Sequence, residues 1–194
     1  MWFFRLRLKT PKLVVMDRDG TLIKYIPYLS DPLLVEVLPT VAFGLQKLKE
    51  AGCLLFLHTN QSGIARGYFS EEAAIGCNDE MLNQLNLGLD LFDGICVCPE
   101  APDGVVEYRK PSPRFGLELI NRFNCDRNDI FYIGDNISDL LTAKNIGCRG
   151  VGVNTGVQDL RQELARENLA SSFTVHDSFM AAVDHLLPLI EFNA

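Results

Sequence analysis

Two aspartates flank an arginine in the run Asp17-Arg18-Asp19-Gly20-Thr21, directly after the apolar stretch Leu13-Val14-Val15-Met16. Other polar sets follow apolar runs in the same way. Thr59-Asn60 comes after Cys53 to Leu57, and Arg109-Lys110-Pro111 lies beyond a loop after Gly94 to Cys98. Gly134-Asp135-Asn136 follows Ile130 to Ile133, with Asp139 one helical turn on. In an open α/β sheet ligands bind beyond the carboxyl ends of the strands, so these are the positions that can meet. Carboxylates gathered on one sheet edge repel one another unless a cation lies between them. The chemistry that uses this set is phosphoryl transfer through a covalent aspartyl-phosphate. A hard divalent ion, bound by a few carboxylates, cancels the repulsion between nucleophile and phosphate. A lysine and a hydroxyl can take the remaining phosphoryl oxygens. A second carboxyl, two residues from the first, can protonate the leaving alkoxide and then activate water.

The elements that must position these residues alternate along the chain. Val41, Leu45 and Leu48 fall on one face of a helix spanning Pro39 to Glu50, which Gly52 stops. Ser70 caps a second helix, with Glu71 and Glu72 in its first turn, running to about Leu85. Ser112-Pro113 opens a third, carrying Phe115, Leu119 and Phe123 on one face. A helix over Ile137 to Ile146 ends at Gly147, Gly150 to Val153 forms a fifth strand, and Phe179, Val183, Leu186, Leu187 and Ile190 repeat at helical spacing near the end. Strand-helix alternation predicts a three-layer α/β fold of Rossmann type with a mostly parallel central sheet. One domain is expected over residues 1–194, with an N-terminal arm over 1–11. The short span from Thr21 to Leu38, and the single helix between strands two and three, leave no room for a cap domain.

Asp17-Arg18-Asp19-Gly20-Thr21, Thr59, Lys110 and Gly134-Asp135…Asp139 together resemble, in order, the four motifs of the haloacid dehalogenase (HAD) superfamily. The run Thr59-Asn60-Gln61-Ser62-Gly63-Ile64-Ala65-Arg66-Gly67, with Arg109-Lys110-Pro111, is similar to its capless branch of D-glycero-D-manno-heptose 1,7-bisphosphate phosphatases, to which the histidinol-phosphate phosphatase domain also belongs. The resemblance spans roughly residues 13 to 153. It implies a phosphatase that uses Mg2+, with Asp17 as nucleophile and Asp19 as general acid/base. Magnesium would be held by the Asp17 side chain, the Asp19 backbone carbonyl and Asp135. Thr59 and Lys110 would stabilise the phosphoryl group. Tyr28, Asn60 and Arg109 would contact substrate, Asn136 would stand where the branch often carries a phosphate-binding lysine, and Asp139 would orient Lys110 or metal-bound water.

The branch usually carries a Cys-Pro-His…Cys-x-Cys zinc loop before Arg-Lys-Pro. Here the stretch begins Cys98-Pro99-Glu100 and ends with Val106 and Tyr108 at the last two ligand positions. A structural zinc needs four ligands, so none is expected here. Cys96 and Cys98 share a strand face and read as buried thiols rather than a metal pair, and His58 reads as a structural histidine.

The 194 residues carry 18 basic and 25 acidic side chains, a formal charge of −7, without a dense Lys/Arg run. That excludes the usual nucleic-acid footprint. The opening residues hold too short an apolar stretch, broken by cations, for an export signal or a membrane span. With six scattered cysteines, the expectation is a cytoplasmic protein with reduced thiols and no membrane partner. Composition is compatible with a monomer but sets no oligomeric state. Three readings share the site: a sugar-phosphate phosphatase, a phosphatase of histidinol phosphate or another small phosphomonoester, and a non-catalytic phosphate- or partner-binding module. The Asp17/Asp19 pair speaks against the last, since a binder has no use for a second acid as proton donor.

Overall fold

Strand β1 (Leu13–Met16) is buried on both faces: Leu13 and Val15 enter one apolar cluster, Val14 and Met16 the other. A strand apolar on both sides belongs inside a sheet covered on both sides. In the computed structural model, which describes residues 10–192, β2 (Leu54–Asn60) and β4 (Ile130–Gly134) flank it, both parallel. With β3 (Gly94–Cys98), β5 (Arg149–Val153) and β6 (Thr174–His176), the sheet order is β3-β2-β1-β4-β5-β6, parallel throughout. The winding reverses between β1 and β4, and a crevice opens at their carboxyl ends.

Helices α1 (Val41–Glu50), α2 (Glu71–Leu85) and α6 (Phe179–Phe192) cover one face, burying Leu45, Met81 and Val183 among others. Gly44 lets α1 approach α6, since a Cβ there would stand 2.9 Å from the Phe179 ring. Helices α3 (Arg114–Phe123) and α4 (Ile137–Ile146) cover the other face through Leu119, Ala143 and Ile146, and α5 (Leu160–Arg166) packs Leu160 and Leu164 on Leu140. This is the three-layer arrangement expected. The segment between β1 and α1 holds a single 3-10 turn (Pro32–Leu34) and two isolated bridges through Ile23, and α2 is the helix between β2 and β3. Neither insertion forms a cap among the described residues.

Several boundaries differ from the sequence reading. Thr40 adopts φ 67, so α1 starts at Val41 instead of Pro39. β2 runs on to Asn60 because β3 pairs with it as far as Asn60↔Cys98, which puts Thr59 inside the strand rather than after it. Helix α5 and strand β6 were not anticipated, being too short to show a period. Most of the N-terminal arm, residues 1–9, lies outside the described residues. All six cysteines are free, and no helix among the described residues is long and apolar enough to cross a membrane.

Candidate active site

The Asp17 N–H donates to the Ile133 carbonyl at 3.0 Å, so the β1–β4 pairing carries the chain straight into the site. Lys110 Nζ stands 2.8 Å from Asp17 Oδ1 and 2.6 Å from Asp139 Oδ1. Asp139 is fully buried, and its other oxygen accepts the Asn136 N–H at 3.0 Å while the Asn136 side chain accepts from Ser138 N, a reciprocal cap on α4. Asp139 thereby links the helix N-terminus to the lysine. Asn60 holds Lys110 from the main chain: its Oδ1 accepts the Lys110 N–H at 3.0 Å and its Nδ2 donates to the Lys110 carbonyl at 3.4 Å. In this arrangement the polar atoms of Asn60 and the Oδ1 of Asn136 serve backbone, while both residues still line the pocket.

Asp135 follows β4 and accepts from Thr21 Oγ1 at 3.1 Å. Two glycines confine it. A Cβ at Gly20, whose φ is +81, or at Gly156 would run into the Asp135 carboxylate. Thr155 Oγ1 donates to the Gly20 carbonyl at 2.6 Å and ties the second glycine to the first. Sequence reasoning gave Thr155 and Gly156 no role, because they follow β5 without a charged or nucleophilic side chain to mark them.

Asp19 is held by a residue that sequence reasoning also passed over. Arg18 is wholly buried; its Nε donates to Asp19 Oδ2 at 3.1 Å and Nη2 to Oδ1 at 3.2 Å, while Nη1 reaches the Ala74 carbonyl and Asn78 Oδ1 on α2. Gln61 Nε2 adds a bond to Asp19 Oδ2 at 2.8 Å and another to Thr59 Oγ1 at 2.7 Å, and Thr59 donates to Asp19 at 3.3 Å. The available signal was an arginine inside an otherwise apolar-to-acidic turn, which must find several acceptors if buried.

These charges shape the electrostatics. Burial pushes the Asp17 carboxyl up; Lys110 pulls it down, and Asp139 and Asp19 push it up again, to about 7. Asp135 is raised well above the ordinary carboxylate range, by burial first and then by Asp17 and Asp139. Burial works against the Lys110 cation, but Asp139 and Asp17 outweigh it and hold it above its ordinary value. Asp17, Asp135 and Asp139 bring one oxygen each within 4.8 Å of one another. Asp139 is already engaged by Lys110 and Asn136 N, and the one lysine that offsets Asp17 is thus shared, which leaves Asp17 and Asp135 crowded beside each other. Two crowded carboxylates on hard oxygen ligands fit Mg2+.

The pocket above them has a volume of about 300 Å³ and is walled by Tyr28, Gln61, Phe69, Arg109 and Asn136 in addition to the carboxylates. Tyr28 is about half exposed and meets Tyr68 edge-on, ring centroids 4.8 Å apart.

An aspartate backed by a buried lysine, a second aspartate two residues on and a third at the adjoining strand end define the class: a phosphoryl-transferring hydrolase built on a Rossmann-like sheet. Comparison with known proteins narrows it. Residues 107–182 match the HAD-hydrolase-like family. The chain is 40% identical over 153 residues to the D-glycero-beta-D-manno-heptose-1,7-bisphosphate 7-phosphatase of Pasteurella multocida, covering 75% of this chain and 83% of that protein. The enzyme of the same name from Bordetella bronchiseptica is 30% identical over 177 residues, 91% of this chain and 98% of that one. The crystal structure of D,D-heptose 1,7-bisphosphate phosphatase from B. bronchiseptica, complexed with magnesium and phosphate, superposes with a TM-score of 0.82 over 91% of this chain and 98% of that chain, at 30% identity. That of Burkholderia thailandensis gives 0.63 over 90% and 98%, at 27% identity. The chain belongs to the heptose-bisphosphate phosphatase family of the HAD superfamily. It is a phosphatase.

Proposed function

We propose that the chain hydrolyses the 7-phosphate of D-glycero-D-manno-heptose 1,7-bisphosphate in a Mg2+-dependent reaction. The observation that carries the mechanism is the placement of Lys110 between Asp17 and Asp139, 2.8 and 2.6 Å from them. It supplies a fixed positive charge where phosphoryl oxygens must lie, beside the carboxylate that attacks. The high identity to the named relatives supports the substrate.

Asp17 is the nucleophile. Its oxygen forms a bond to phosphorus as the phosphorus–oxygen ester bond breaks, and the leaving alkoxide takes a proton from Asp19. Asp19 then removes a proton from water, whose oxygen attacks the aspartyl-phosphate; inorganic phosphate leaves and Asp17 is restored. Lys110 and the Thr59 hydroxyl hold the phosphoryl oxygens through both steps. Asp17, Asp135 and the Asp19 carbonyl would hold Mg2+, which when bound neutralises carboxylate and phosphate so that they can approach. Asp139 keeps Lys110 charged and in place. A primary alkoxide is a poor leaving group, which is why the acid at Asp19 is needed.

Phosphate release is to be measured with magnesium from heptose 1,7-bisphosphate, histidinol phosphate and common sugar phosphates. A clear preference for the heptose bisphosphate, abolished in Asp17→Asn and strongly slowed in Asp19→Asn with magnesium affinity kept, is expected. Preference for histidinol phosphate would move the substrate and leave the mechanism standing; equal inactivity of wild type and Asp17→Asn across the panel would remove both.

A further inference from the structure

The loop between β3 and Lys110 is exposed from Pro102 to Glu107, yet it delivers Arg109 to the pocket wall. One carboxylate closes it. Glu100 Oε2 accepts the Glu107 N–H at 2.7 Å and the Arg109 N–H at 3.1 Å, and Oε1 accepts the Tyr108 N–H at 2.9 Å. The Glu100 carbonyl in turn accepts Arg109 Nη1 at 3.1 Å. Arg109 is therefore held to Glu100 at both ends, by its backbone and by its guanidinium. The guanidinium has five N–H donors, so one anchoring bond leaves most of them for an anion. A carboxylate bonded to several backbone N–H groups makes strong, charge-assisted bonds. Burial pushes the Glu100 carboxyl up, but those N–H groups outweigh it and hold it below its ordinary value.

Metal closure of the same loop is less well served. His58, Cys96 and Cys98 bring ligand atoms within 4.8 Å of one another. Both ring nitrogens of His58 are engaged, one with Tyr132 Oη at 2.8 Å and the other with the Tyr108 carbonyl at 2.9 Å. Both Glu100 oxygens are engaged as well. On the outer side of the loop, Tyr108 Oη donates to Glu118 at 2.9 Å, and Arg114 pairs with Glu107 and Glu118.

We propose that Glu100 is a positioning residue that closes the 98–109 loop without metal and sets Arg109 at the substrate pocket. The inference rests on the proposed function, in which Arg109 contacts substrate. Lys110 has separate anchors, Asn60 and Asp139, so Glu100 governs substrate affinity and not the chemical step.

The test is a double-mutant cycle, with KM and kcat for heptose 1,7-bisphosphate measured for wild type, Glu100→Ala, Arg109→Ala and the double variant. Glu100→Ala is expected to raise KM about tenfold with kcat nearly unchanged, and to add nothing in the Arg109→Ala background. Glu100→Gln, which keeps one acceptor oxygen, is expected to fall between wild type and Glu100→Ala. Independent, additive effects, or a fall in kcat matching the rise in KM, would overturn the proposal. So would a chelated enzyme that recovers only when zinc is returned; full recovery on magnesium alone is expected. Should wild type ignore the heptose bisphosphate, the substrate assignment fails separately. The same cycle is then read from inhibition of p-nitrophenyl phosphate hydrolysis by inorganic phosphate, where coupling upholds the role of Glu100 and its absence overturns it.

Discussion

The buried guanidinium of Arg18 holds the carboxylate of Asp19, Nε lying 3.1 Å from Oδ2, and anchors it to α2 through Asn78 Oδ1 at 2.8 Å. The residue between the two aspartates thus orients the one proposed to pass a proton. Arg18→Met is expected to slow hydrolysis of alkyl phosphates by about ten- to a hundredfold, the reach of a misplaced general acid. Hydrolysis of p-nitrophenyl phosphate, whose leaving group needs little protonation, should fall much less. Comparing the two substrates checks this; an equal loss on both would mean that Arg18 supports the fold and not Asp19.

Lys110 is nearly inaccessible, and two carboxylates depend on it. Lys110→Met should lower kcat by about 10²–10³-fold at saturating magnesium, comparable to losing one electrostatic donor to the transition state. The metal-free variant should also lose about 3 kcal/mol of stability in urea, because Asp17 and Asp139 are left without their cation. A kcat within twofold of wild type would contradict the assignment of Lys110 to the phosphoryl group.

Gly156→Ala tests how Asp135 is held. The new methyl would run into the Asp135 carboxylate and press on its Cγ and Cβ, all of them side-chain atoms, so the carboxylate has to turn away. Magnesium affinity by calorimetry is expected to drop about tenfold, one ligand having been displaced. The thermal unfolding of the metal-free protein should stay near wild type. Unchanged magnesium affinity with lower stability would show that the backbone yields instead.

The raised carboxyls give the metal-free protein a pH dependence of definite sign. Asp17 moves from 3.8 in the unfolded chain to about 7 on folding, with burial the largest cause. Between these values the folded protein keeps a proton that the unfolded chain has released. The associated stability is full below about pH 4 and is lost as pH rises through about 7. Asp135 acts in the same direction. His176, lowered chiefly by burial, acts in the opposite one, so Asp17→Asn is the comparison that isolates the aspartate. Melting temperatures without metal should fall from about pH 5 to about pH 8 more steeply in wild type than in Asp17→Asn. Magnesium should stabilise wild type more at the higher pH. Parallel slopes for the two proteins would refute the titration.

What the sequence determined by itself was the chemistry and the layer plan. Apolar runs ending in Asp17, Thr59 and Asp135 mark strand ends, and strand ends of a parallel sheet are where ligands gather. Amphipathic spacing marked α1, α3 and α6, because a helical stripe repeats over several turns, while the Ser70 cap marked α2 and the Gly147 stop marked α4. A strand of three residues such as β6 offers no period, and α5 offers barely two turns, so both escaped.

Only the tertiary structure decided how the functional side chains are held. Asn60 reads as a substrate ligand along the chain, yet its amide brackets the Lys110 backbone across fifty residues. Arg18 carries no assigned role along the chain, yet it is a buried cation tied to α2. Gly156 carries no mark along the chain, yet it makes room for Asp135, and Glu100 stands in a stretch read only for its missing zinc ligands, yet it closes the loop. The physical reason is common to all of them. Residue type and spacing state what a side chain can do, but a hydrogen bond or a close approach depends on partners far away in the chain, and their direction is fixed only when the sheet brings them together.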